Sequence, residues 1–440
     1  MKNNSLTAVI YTLGCKVNQY ESEAIGEQLE KFGVILCHPK EDSNCDICII
    51  NTCTVTAESD RKCRQIIRRA QKANPHAVVL LTGCYAQVSP KELCKINGVD
   101  YICGNRSKLS VAKKAIELAG KKQSCTICEV EDLEDADFEN ISAGRSERTR
   151  AYIKIEDGCE NKCTYCIIPK ARGNIRSKSF NDGISEAKGL ACNGYRELVI
   201  TGIEVCAYGK EWGYTPSLVD VMEKLDSEGL FDRVRIGSMD PSYIKKKFTD
   251  RVSVLKNAAP YYHLSLQSGC DNTLNAMKRK YNTAMVLEYV DYMRKKIPDV
   301  SFTADIIVGF PGETDEDFEI TRQFVRRLDL LDAHVFSYSK RDGTPAAAME
   351  NQVDPAIKEQ RSAILINDCK NNKKRILREY SNSPRVFPVL FESFSKGINT
   401  GRMANFIEVK VKDDEDLSNK ILNVRITGCT DEWLTGEIIL

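Results

Sequence analysis

Three cysteines on one short loop, Cys159, Cys163 and Cys166, have a residue type and a spacing that suit metal chemistry. They are spaced C-x3-C-x2-C and follow residues 151–156, whose apolar alternation predicts a strand. Three thiolates this close together can hold three irons of a [4Fe–4S] cluster, which is usually held by four cysteines. With three thiolates supplied, the fourth iron keeps an open coordination position, the property that separates a reactive metal site from a structural one.

The alternatives for this loop are a zinc site and a chance grouping, because the chain holds 19 cysteines. A structural zinc ion takes four ligands, and no fourth ligand is evident near the loop. The four histidines of the chain lie far away in sequence, at His38, His76, His263 and His334. Distance along the chain does not exclude them in space, so the zinc alternative stays open at this point.

Cys15, Cys53 and Cys84 each lie a few residues after a predicted strand. The strands are predicted at residues 6–11, 46–50 and 77–81, and helices at 18–32 and 56–73. This alternation predicts a doubly wound α/β domain, in which the loops at the carboxyl ends of the strands meet at one edge of the sheet. The three thiols together therefore favour a second three-thiolate cluster, although each one alone is equally well a small buried hydrophobe.

Two other cysteine pairs have the spacing of redox or zinc motifs, Cys45 with Cys48 and Cys125 with Cys128. The first pair lies at a predicted strand, and the second lies beside an acidic segment. We interpret both as structural thiols, or as thiols without function, rather than as metal ligands.

Length and composition set the frame for these sites. A chain of 440 residues predicts two to four domains, and its 42% apolar residues are enough to form their cores. The net charge of +1 excludes a globally basic nucleic-acid-binding protein, so any contact with RNA must come from local patches. Neither a signal peptide nor a transmembrane run is recognisable, and cysteine-rich chains without export signals are more often metal-binding than disulfide-bonded. We therefore expect a cytoplasmic protein without a membrane contact.

The middle of the chain shows a second series of strand and helix patterns. Seven acidic residues among the eleven of 129–139 predict a solvated linker and a domain boundary near residues 142–148. A long helical pattern at residues 361–380, which Pro384 breaks, precedes the last part of the chain, so we place the domains at 1–142, 143–378 and 379–440. Strands are predicted at residues 151–156, 197–201, 233–238, 262–267, 303–308 and 333–338. Six βα units are too few for a closed eight-unit barrel, so we expect an open, partial barrel with its chemistry at the carboxyl ends of the strands.

Several conspicuous residues lie at those strand ends. The second strand is followed by Thr201, Gly202 and Glu204, the fourth ends with Ser265 and Gln267, and the fifth leads into residues 309–314. Each of these segments could also be ordinary turn chemistry or barrel packing. Shortly after the cysteine loop come Arg172 and Arg176, which suit a carboxylate or phosphate, or equally a surface salt bridge.

The last sixty residues predict a small barrel. Five short alternating strands are predicted at residues 385–392, 399–403, 406–411, 421–426 and 433–439. Small OB-like barrels often bind oligonucleotides, and Arg402, Asn405 and Phe406 are candidates for RNA contact through charge and stacking. The alternative is a barrel that only caps the central domain.

Taken together, these motifs resemble the radical S-adenosylmethionine (SAM) methylthiotransferases over the full length of the chain. The matching segments are Thr12–Ser22, Asn51–Val55, Thr82–Tyr85, the C-x3-C-x2-C loop, Ile168–Gly173, Ser265–Asp271, Asp305–Thr314 and Gly401–Val409. The resemblance implies an α/β protein: an amino-terminal doubly wound domain with an auxiliary [4Fe–4S] cluster, a (β/α)6 radical SAM barrel with a second [4Fe–4S] cluster, and a carboxyl-terminal β-barrel called the TRAM domain.

The resemblance also implies roles for single residues. The radical SAM cluster would be held by Cys159, Cys163 and Cys166, and the auxiliary cluster by Cys15, Cys53 and Cys84. Tyr165 would be the aromatic SAM contact that is usual at its position, and Thr201, Gly202 and Glu204 would lie at the methionyl amino group. Ser265 and Gln267 would contact the ribose or carboxylate of SAM, and Ile307 and Val308 would lie beside its adenine. Because an unactivated aromatic C–H bond resists acid–base chemistry, the family uses a radical derived from SAM to activate carbon 2 of an adenine, where the methylthio group is inserted.

Within the family, residues 16–22 (Lys-Val-Asn-Gln-Tyr-Glu-Ser) resemble the branch that acts on N6-threonylcarbamoyladenosine beside the anticodon of tRNA, at position 37. The isopentenyladenosine branch usually has Gln-Met-Asn there, and the branch that modifies a ribosomal protein aspartate has Pro-Lys-Asn. One departure is Glu204-Val205-Cys206, where a histidine or aspartate followed by Leu and Ser is frequent.

The partners that this branch implies are the tRNA anticodon loop, an electron donor such as flavodoxin or ferredoxin, and a sulfur donor. Arg172 or Arg176 would meet the threonyl carboxylate, and Arg402 and Phe406 would contact the RNA. A non-catalytic iron–sulfur or zinc RNA-binding protein is the alternative from another functional class.

Overall fold

The computed structural model of the chain describes residues 5–39, 44–144, 149–382 and 385–439. The predicted boundary near residues 142–148 partly lies outside the described residues, as does Pro384, at which the long helical pattern was expected to break. Within the described part of the chain, no helix is both long and apolar enough to cross a membrane.

The amino-terminal domain is a six-stranded parallel sheet with helices on both faces. Its strands, in the spatial order β2-β1-β3-β4-β5-β6, are β1 (Thr7–Thr12), β2 (Ile35–Cys37), β3 (Ile47–Thr52), β4 (Val78–Gly83), β5 (Tyr101–Cys103) and β6 (Ile127–Glu129). Its helices are α1 (Lys16–Lys31), α2 (Ala57–Ala73), α3 (Cys84–Val88), α4 (Pro90–Leu93) and α5 (Lys108–Leu118). The doubly wound prediction is confirmed, with three strands more than the sequence indicated.

Two apolar layers hold this domain together. Ile25, Leu29 and Val111 of α1 and α5 pack on one face of the sheet. Cys63 and Ile67 of α2 pack on the other face. Every residue of β3 and β4 is buried, as expected for parallel strands that are covered on both sides.

The central domain contains six parallel strand positions. They are β7 (Arg150–Lys154), β10 (Glu197–Thr201), β11 (Arg233–Ile236) continued after Gly237 by β12 (Ser238–Met239), β13 (Tyr261–Gln267), β14 (Ser301–Val308) and β15 (Asp332–Ser337). A short antiparallel pair, β8 (Glu156–Asp157) and β9 (Arg176–Ser177), follows β7. Since β7 and β15 are the outer strands, the partial barrel is open on one side, as predicted.

Helices cover the outside of this barrel. They are α7 (Phe180–Cys192), α8 (Leu218–Glu228), α9 (Lys246–Val252), α10 (Asp271–Ala276), α11 (Thr283–Lys296) and α12 (Asp315–Leu328). The short α6 (Ile168–Arg172) instead packs against α3 of the amino-terminal domain. The 27-residue α13 (Pro355–Ser381) then packs along β15 and reaches the last domain.

The carboxyl-terminal domain is a closed five-stranded barrel in the order β16-β17-β18-β20-β19. Its strands are β16 (Val386–Ser395), β17 (Ile398–Met403), β18 (Glu408–Lys412), β19 (Ile421–Cys429) and β20 (Leu434–Ile438). The loop between β17 and β18 covers the amino-terminal ends of the central strands, where Arg235 donates to the carbonyl of Ala404 at 3.1 Å. Ser301 donates a hydrogen bond to the carbonyl of Asn405 in the same loop. One end of the partial barrel is therefore closed by the small barrel.

Candidate active site

The C-x3-C-x2-C loop is held tightly between β8 and α6. Gly158 has φ +90°, and a Cβ there would lie 1.9 Å from the carbonyl oxygen of Asn174, so only glycine fits before Cys159. The amide of Cys159 donates to the carbonyl of Gly173 at 3.0 Å. The hydroxyl of Thr164 donates to the carbonyl of Ala276 at 2.9 Å. The loop is thus tied to its own strand pair and to the helix that follows β13.

The three thiols of the loop lie in an environment that suits metal-bound thiolates. Burial raises the pKa of the Cys159 thiol to about 12 and that of Cys166 to about 11, so neither is ionised by itself at neutral pH. The Nη1 of Arg279 lies 3.2 Å from Sγ of Cys163. A set of sulfur donors beside a fixed cation fits a [4Fe–4S] cluster, which binds thiolates and carries net negative charge.

The sequence analysis missed Arg279. It lies in the loop after α10, and its other nitrogen donates to Asp240 at 2.8 Å. Nothing in its sequence neighbourhood, Lys278-Arg279-Lys280, separates it from two ordinary surface lysines.

The auxiliary thiols come together at the carboxyl ends of β1, β3 and β4. Burial, together with the neighbouring thiols of Cys84 and Cys15, raises the pKa of Cys53 to about 11, so the three thiols lie close enough to influence one another. Gly83, at φ +99°, lets the chain turn into α3, since a Cβ there would lie 2.4 Å from the carbonyl oxygen of Thr52. The three loops therefore converge as expected for a doubly wound sheet.

A buried arginine from the central domain reaches this thiol group. The Nε of Arg172 lies 3.2 Å from Sγ of Cys84, its Nη1 donates to Glu21 at 2.5 Å, and its Nη2 donates to Asn18 at 2.6 Å. Arg172 has no exposed surface. The prediction that Arg172 binds substrate is therefore wrong, because its guanidinium donors are directed to groups inside the protein.

Arg176 is likewise unavailable to a substrate. It is 8% exposed, its Nη2 lies 3.2 Å from Asp157, and its Nη1 donates to the carbonyl of Arg172 at 2.6 Å. The prediction of a substrate contact for Arg176 is wrong for the same reason.

The charges around Arg172 are unequal in number. Six side chains form one buried group, the cations being Arg172, Arg176, Lys108 and Lys154 and the anions Glu21 and Asp157. Four cations against two anions leave an excess of positive charge next to Cys84. Such an excess suits a set of thiolates and a bound cluster, so the residues present fit the predicted auxiliary [4Fe–4S] site.

The predicted SAM contacts after the second barrel strand lie around two buried carboxyl groups. Glu204 follows β10, and burial together with the nearby Asp240 raises its pKa to about 7. Its amide donates to Glu156 at 2.8 Å, and its Oε2 accepts from Asn161 of the cysteine loop at 3.3 Å. The Oε1 atoms of Glu204 and Glu156 are buried without a hydrogen-bond partner among the described residues. Two such acceptors beside the cysteine loop fit an amino group, which is what SAM presents there.

Two further predicted SAM contacts, Ile307 and Val308, lie on opposite faces of β14. Ile307 belongs to an apolar group with Tyr165, whose ring meets Phe310 edge-on at 6.5 Å between centroids. Val308 points the other way and is fully buried in the core under the helices. The prediction that Val308 flanks the adenine is therefore wrong, whereas Ile307 and Tyr165 lie on the face of the sheet that carries the cysteine loop.

Ser265 and Gln267 lie at the end of β13, near Arg279. The carbonyl of Ser265 accepts hydrogen bonds from Arg279 at 3.1 Å and from the hydroxyl of Tyr281 at 2.9 Å. Gln267 has φ +66°, a conformation that interrupts the regular pairing of β13 with β14. Both side chains are only partly buried, so their predicted SAM contacts remain predictions.

One cavity of about 1200 Å³ runs between the domains. The auxiliary site contributes Cys15 and Cys53 to its wall, and the end of β10 contributes Thr201 and Gly202. Further walls come from β13, β14, β15, α13 and the carboxyl-terminal barrel. The auxiliary thiols and the strand ends of the barrel thus face the same space.

Phe406 and Asn405 fasten the carboxyl-terminal barrel to the central one. The ring of Phe406 stacks on Tyr261 with centroids 4.5 Å apart, and the guanidinium of Arg235 lies 4.8 Å from the centroid. Asn405 is 2% exposed and donates to the hydroxyl of Tyr380 at 2.8 Å. The prediction of RNA contact for Asn405 is wrong, because this side chain is buried in the joint between the domains. Phe406 also lines the cavity, so its contact with RNA remains a prediction.

Arg402 has a different position. Its Nη2 donates to Glu408 at 3.0 Å, and its side chain lines the cavity. A contact of Arg402 with RNA therefore remains a prediction.

The other two cysteine pairs lie away from this cavity. Cys45 and Cys48 are buried in the core of the amino-terminal domain, as their interpretation as structural thiols requires. Cys125 and Cys128 are exposed, the latter on the edge strand β6.

Three cavity residues were missed by the sequence analysis, namely His263, Asp305 and His334. The histidines had been considered only as distant zinc ligands for the cysteine loop. The period of two in strands β13, β14 and β15 places all three on the inner face, and that was the signal that could have found them.

Comparison with known proteins agrees with this organisation. Residues 7–104 match the model described as Uncharacterized protein family UPF0004, and residues 153–325 match that of the Radical SAM superfamily. The chain is 36% identical to the threonylcarbamoyladenosine tRNA methylthiotransferase MtaB of Bacillus subtilis, over 98% of this chain and 96% of the relative. It is 37% identical to the protein of the same name from Thermotoga maritima, over 98% of this chain and 99% of the relative.

A relative with another substrate in its name is somewhat less similar. The tRNA-2-methylthio-N(6)-dimethylallyladenosine synthase of Alkaliphilus oremlandii is 33% identical over 98% of this chain and 92% of the relative. Among solved structures, the radical S-adenosylmethionine methyltransferase TsrM from Kitasatospora setae, with cobalamin and a [4Fe–4S] cluster bound, superposes with a TM-score of 0.58. It covers 78% of this chain and 77% of its own at 15% identity, which supports the fold alone.

Proposed function

The chain belongs to the radical SAM methylthiotransferase family, and on that premise we propose that it methylthiolates carbon 2 of N6-threonylcarbamoyladenosine beside the anticodon of tRNA. The observation that carries the proposal is the shared cavity, which brings the thiols of Cys15 and Cys53 to the strand ends Thr201 and Gly202 of the radical SAM barrel. A reaction that activates a base at one centre and supplies sulfur from another requires both to reach the same atom.

The protein's own residues hold and separate the two reactive centres. When bound, two [4Fe–4S] clusters and SAM supply the radical and sulfur-transfer chemistry that amino-acid side chains lack. Cys159, Cys163 and Cys166 would hold one cluster, with Arg279 placing a positive charge beside Cys163. The unpaired acceptor atoms of Glu204 and Glu156 would bind the amino group of SAM.

On the auxiliary side, Arg172 has the corresponding charge-fixing role. It bonds Cys84 of the amino-terminal domain from α6 of the central domain, so the cluster held by Cys15, Cys53 and Cys84 is fixed relative to the barrel. The cavity, which is lined by Cys15, Cys53 and the strand end at Thr201 and Gly202, is large enough for a nucleoside that has been turned out of a single-stranded loop, where bases are accessible for recognition.

The proposal includes partners that supply what the side chains do not. A one-electron donor such as flavodoxin or ferredoxin reduces the radical SAM cluster, and a sulfur donor replenishes the transferred sulfur. A tRNA substrate places the reaction in the cytoplasm.

The threonylcarbamoyl substrate is supported by the two MtaB relatives that are 36% and 37% identical over nearly the full chain. The segment Lys16–Ser22, which resembles the threonylcarbamoyladenosine branch, begins α1 next to Cys15, and its first two residues, Lys16 and Val17, line the cavity. A ribosomal protein aspartate remains the alternative substrate outside RNA.

The test is a reaction of the reconstituted holoenzyme with anticodon stem-loop RNAs that carry threonylcarbamoyladenosine, dimethylallyladenosine or adenosine, and with the ribosomal protein peptide. Nucleoside mass spectrometry should find the methylthio product with the first RNA and lose it in Cys15→Ala and Cys159→Ala variants. If the methylthio product forms only with the dimethylallyladenosine RNA or only with the peptide, the substrate assignment is overturned. A protein that binds RNA but cleaves no SAM under reducing conditions would overturn the enzymatic proposal.

A further inference from the structure

A row of ionisable side chains crosses the cavity wall on the inner face of three neighbouring strands. His263 of β13, Asp305 of β14 and His334 of β15 all line the cavity. Oδ1 of Asp305 lies 3.0 Å from Nδ1 of His334 and 3.2 Å from Nε2 of His263. One carboxylate oxygen therefore holds both imidazole rings, whose centroids are 5.4 Å apart.

The hydrogen-bonded row extends from Tyr261 to His334. Nδ1 of His263 lies 2.7 Å from the hydroxyl of Thr303, which lies 2.7 Å from the hydroxyl of Tyr261. Both nitrogens of His263 are thus engaged, and so is Nδ1 of His334. For Nε2 of His334 the described residues supply no hydrogen-bond partner, and this side chain is 66% exposed within the cavity wall.

We propose that His334, oriented by Asp305 with His263 behind it, binds the carboxylate of the threonyl group on the N6 substituent of the substrate base. The inference rests on the proposed function, because it assigns the part of the cavity that reads that substituent. A donor nitrogen on a fixed ring matches a carboxylate oxygen, and a charged partner makes such a hydrogen bond about twice as strong as a neutral one. A dimethylallyl group has no acceptor for this donor, so the same wall would select against it.

The charge of the row agrees with an anionic ligand. The hydrogen bond to Asp305 raises the pKa of His334, and the carboxylates of Asp305 and Asp332 raise it further. When the ring is protonated it neutralises Asp305, and Lys16, which lines the same cavity from α1, adds a positive charge near His334. The cavity is therefore not repulsive to a carboxylate at this position.

A divalent metal ion is the competing occupant, since two imidazoles and one carboxylate are donors that zinc or iron accepts. The distances of 3.0 and 3.2 Å favour the hydrogen-bonded arrangement, because the nitrogens are already engaged with the same carboxylate oxygen. Binding measured with and without a chelator distinguishes a metal ion from the hydrogen-bonded arrangement.

The experiment compares wild type with His334→Gln in the reconstituted holoenzyme, using His76→Gln as the matched control. His76 is exposed, and it lies in the turn between α2 and β4, outside the cavity wall. Iron and sulfide content establish that all three proteins carry their clusters. The probes are three stem-loop RNAs that carry threonylcarbamoyladenosine, its carboxylate methyl ester, or unsubstituted adenosine, and the dissociation constant of each is measured with and without a chelator.

Wild type and His76→Gln should bind the free carboxylate about tenfold or more tightly than the ester, as expected for a hydrogen bond to a charged group. His334→Gln should bind the two RNAs within about twofold of each other, since the ester and the substitution remove the same contact. Undiminished discrimination in His334→Gln would overturn the inference, and discrimination that vanishes with the chelator would replace it by a metal site. If wild type itself does not prefer the threonylcarbamoyl RNA to unsubstituted RNA, the proposed substrate fails instead.

Discussion

At the scale of single residues, two arginines have corresponding positions at the two cysteine sites. Arg279 contacts Cys163 of the radical SAM loop and Arg172 contacts Cys84 of the auxiliary site. Each arginine is also bonded to a carboxylate, Asp240 or Glu21, so its position is fixed before any cluster binds. A permanently charged, planar group suits this role, because lysine would give one point charge and would lose its proton more readily when buried.

We expect Arg172→Met to lose the auxiliary cluster and to destabilise the protein. Removing the cation leaves Glu21 buried with fewer counter-charges, which costs about 3–5 kcal/mol for a fully buried pair. Iron content should fall by roughly half, because one of two clusters is lost. Urea unfolding and iron analysis measure both effects. The control Arg196→Met removes a pair that is 45% exposed and should keep its iron and most of its stability.

Glu204 gives a second prediction at this scale. Glu204→Gln keeps the shape of the side chain and removes the charge that an ammonium group requires, so the dissociation constant of SAM should rise about tenfold to a hundredfold. Equilibrium dialysis with the reconstituted protein measures it. The control is Glu160→Gln. Glu160 lies on the cysteine loop in an exposed pair with Lys210, so this variant should bind SAM as wild type does. Equal affinities for all three proteins would remove Glu204 from the SAM site.

The proton on His334 should make carboxylate recognition depend on pH. Its pKa is raised by the hydrogen bond to Asp305, so the charged ring extends to higher pH than in a free histidine and is lost as the pH rises through that raised value. Asp305 and Asp332 favour the charged form, while burial and Lys16 oppose it and His263 stacks beside it. The preference for the free carboxylate over its ester should therefore decline in wild type as the pH rises through the raised pKa of His334. In His334→Gln the two dissociation constants should stay in the same ratio throughout; a parallel decline there would show that another group titrates.

At the scale of secondary-structure elements, the sequence predicted strands and their carboxyl ends well. The six central strands and the three cysteine-bearing loops of the first domain lie where the apolar runs placed them, since short buried runs bounded by Gly and polar residues have few alternative structures. Which side of a strand a residue occupies was harder. Val308 was taken for a SAM contact and lies in the core, whereas the neighbouring Ile307 faces the cluster loop.

The burial of polar residues was not predictable from local pattern at all. From the sequence, Arg172 and Arg176 were interpreted as surface or ligand-binding arginines. The partners that bury Arg172, Glu21 and Asn18, are more than 150 residues away in sequence. The same holds for Phe406, whose stacking partner Tyr261 belongs to another domain. Contacts of this kind arise only once the domains have docked.

The pleat of β14 can be tested by a pair of adjacent substitutions. Val308→Ala should lower the free energy of unfolding by about 2 kcal/mol, because two buried methyl groups are removed from the core, and should leave the affinity for SAM unchanged. Ile307→Ala should do the opposite and weaken SAM binding with a smaller loss of stability. Urea unfolding measures the stability of both variants, and equilibrium dialysis measures their affinity for SAM. A loss of SAM affinity in Val308→Ala would show that the strand faces are assigned the wrong way round.

At the scale of the whole molecule, the reaction needs the first domain to sit at a fixed place on the open side of the barrel. Arg172 makes one link, and Arg341 makes another at the far side of the cavity. Nη1 of Arg341, in the loop after β15, donates to Asp60 of α2 at 2.6 Å, and Nη2 donates to Thr54 at 2.5 Å. Thr54 directly follows Cys53, so this link holds the auxiliary loop against the barrel.

Arg341→Ala should therefore uncouple the two halves of the reaction. Each cluster keeps its own ligands, so SAM cleavage continues, but the auxiliary site is no longer held at one distance from the base. Since a displacement of about 1 Å can cost on the order of a hundredfold in rate, the yield of methylthio product per SAM cleaved should fall roughly tenfold or more. Mass spectrometry of 5′-deoxyadenosine and of the modified nucleoside in one reaction gives the ratio directly. Arg326→Ala, which removes a 53% exposed arginine paired with Asp368 on the outer helices, should keep the wild-type ratio. An Arg341→Ala enzyme with a wild-type ratio would mean that the remaining contacts between the domains, Arg172 above all, fix the auxiliary site by themselves.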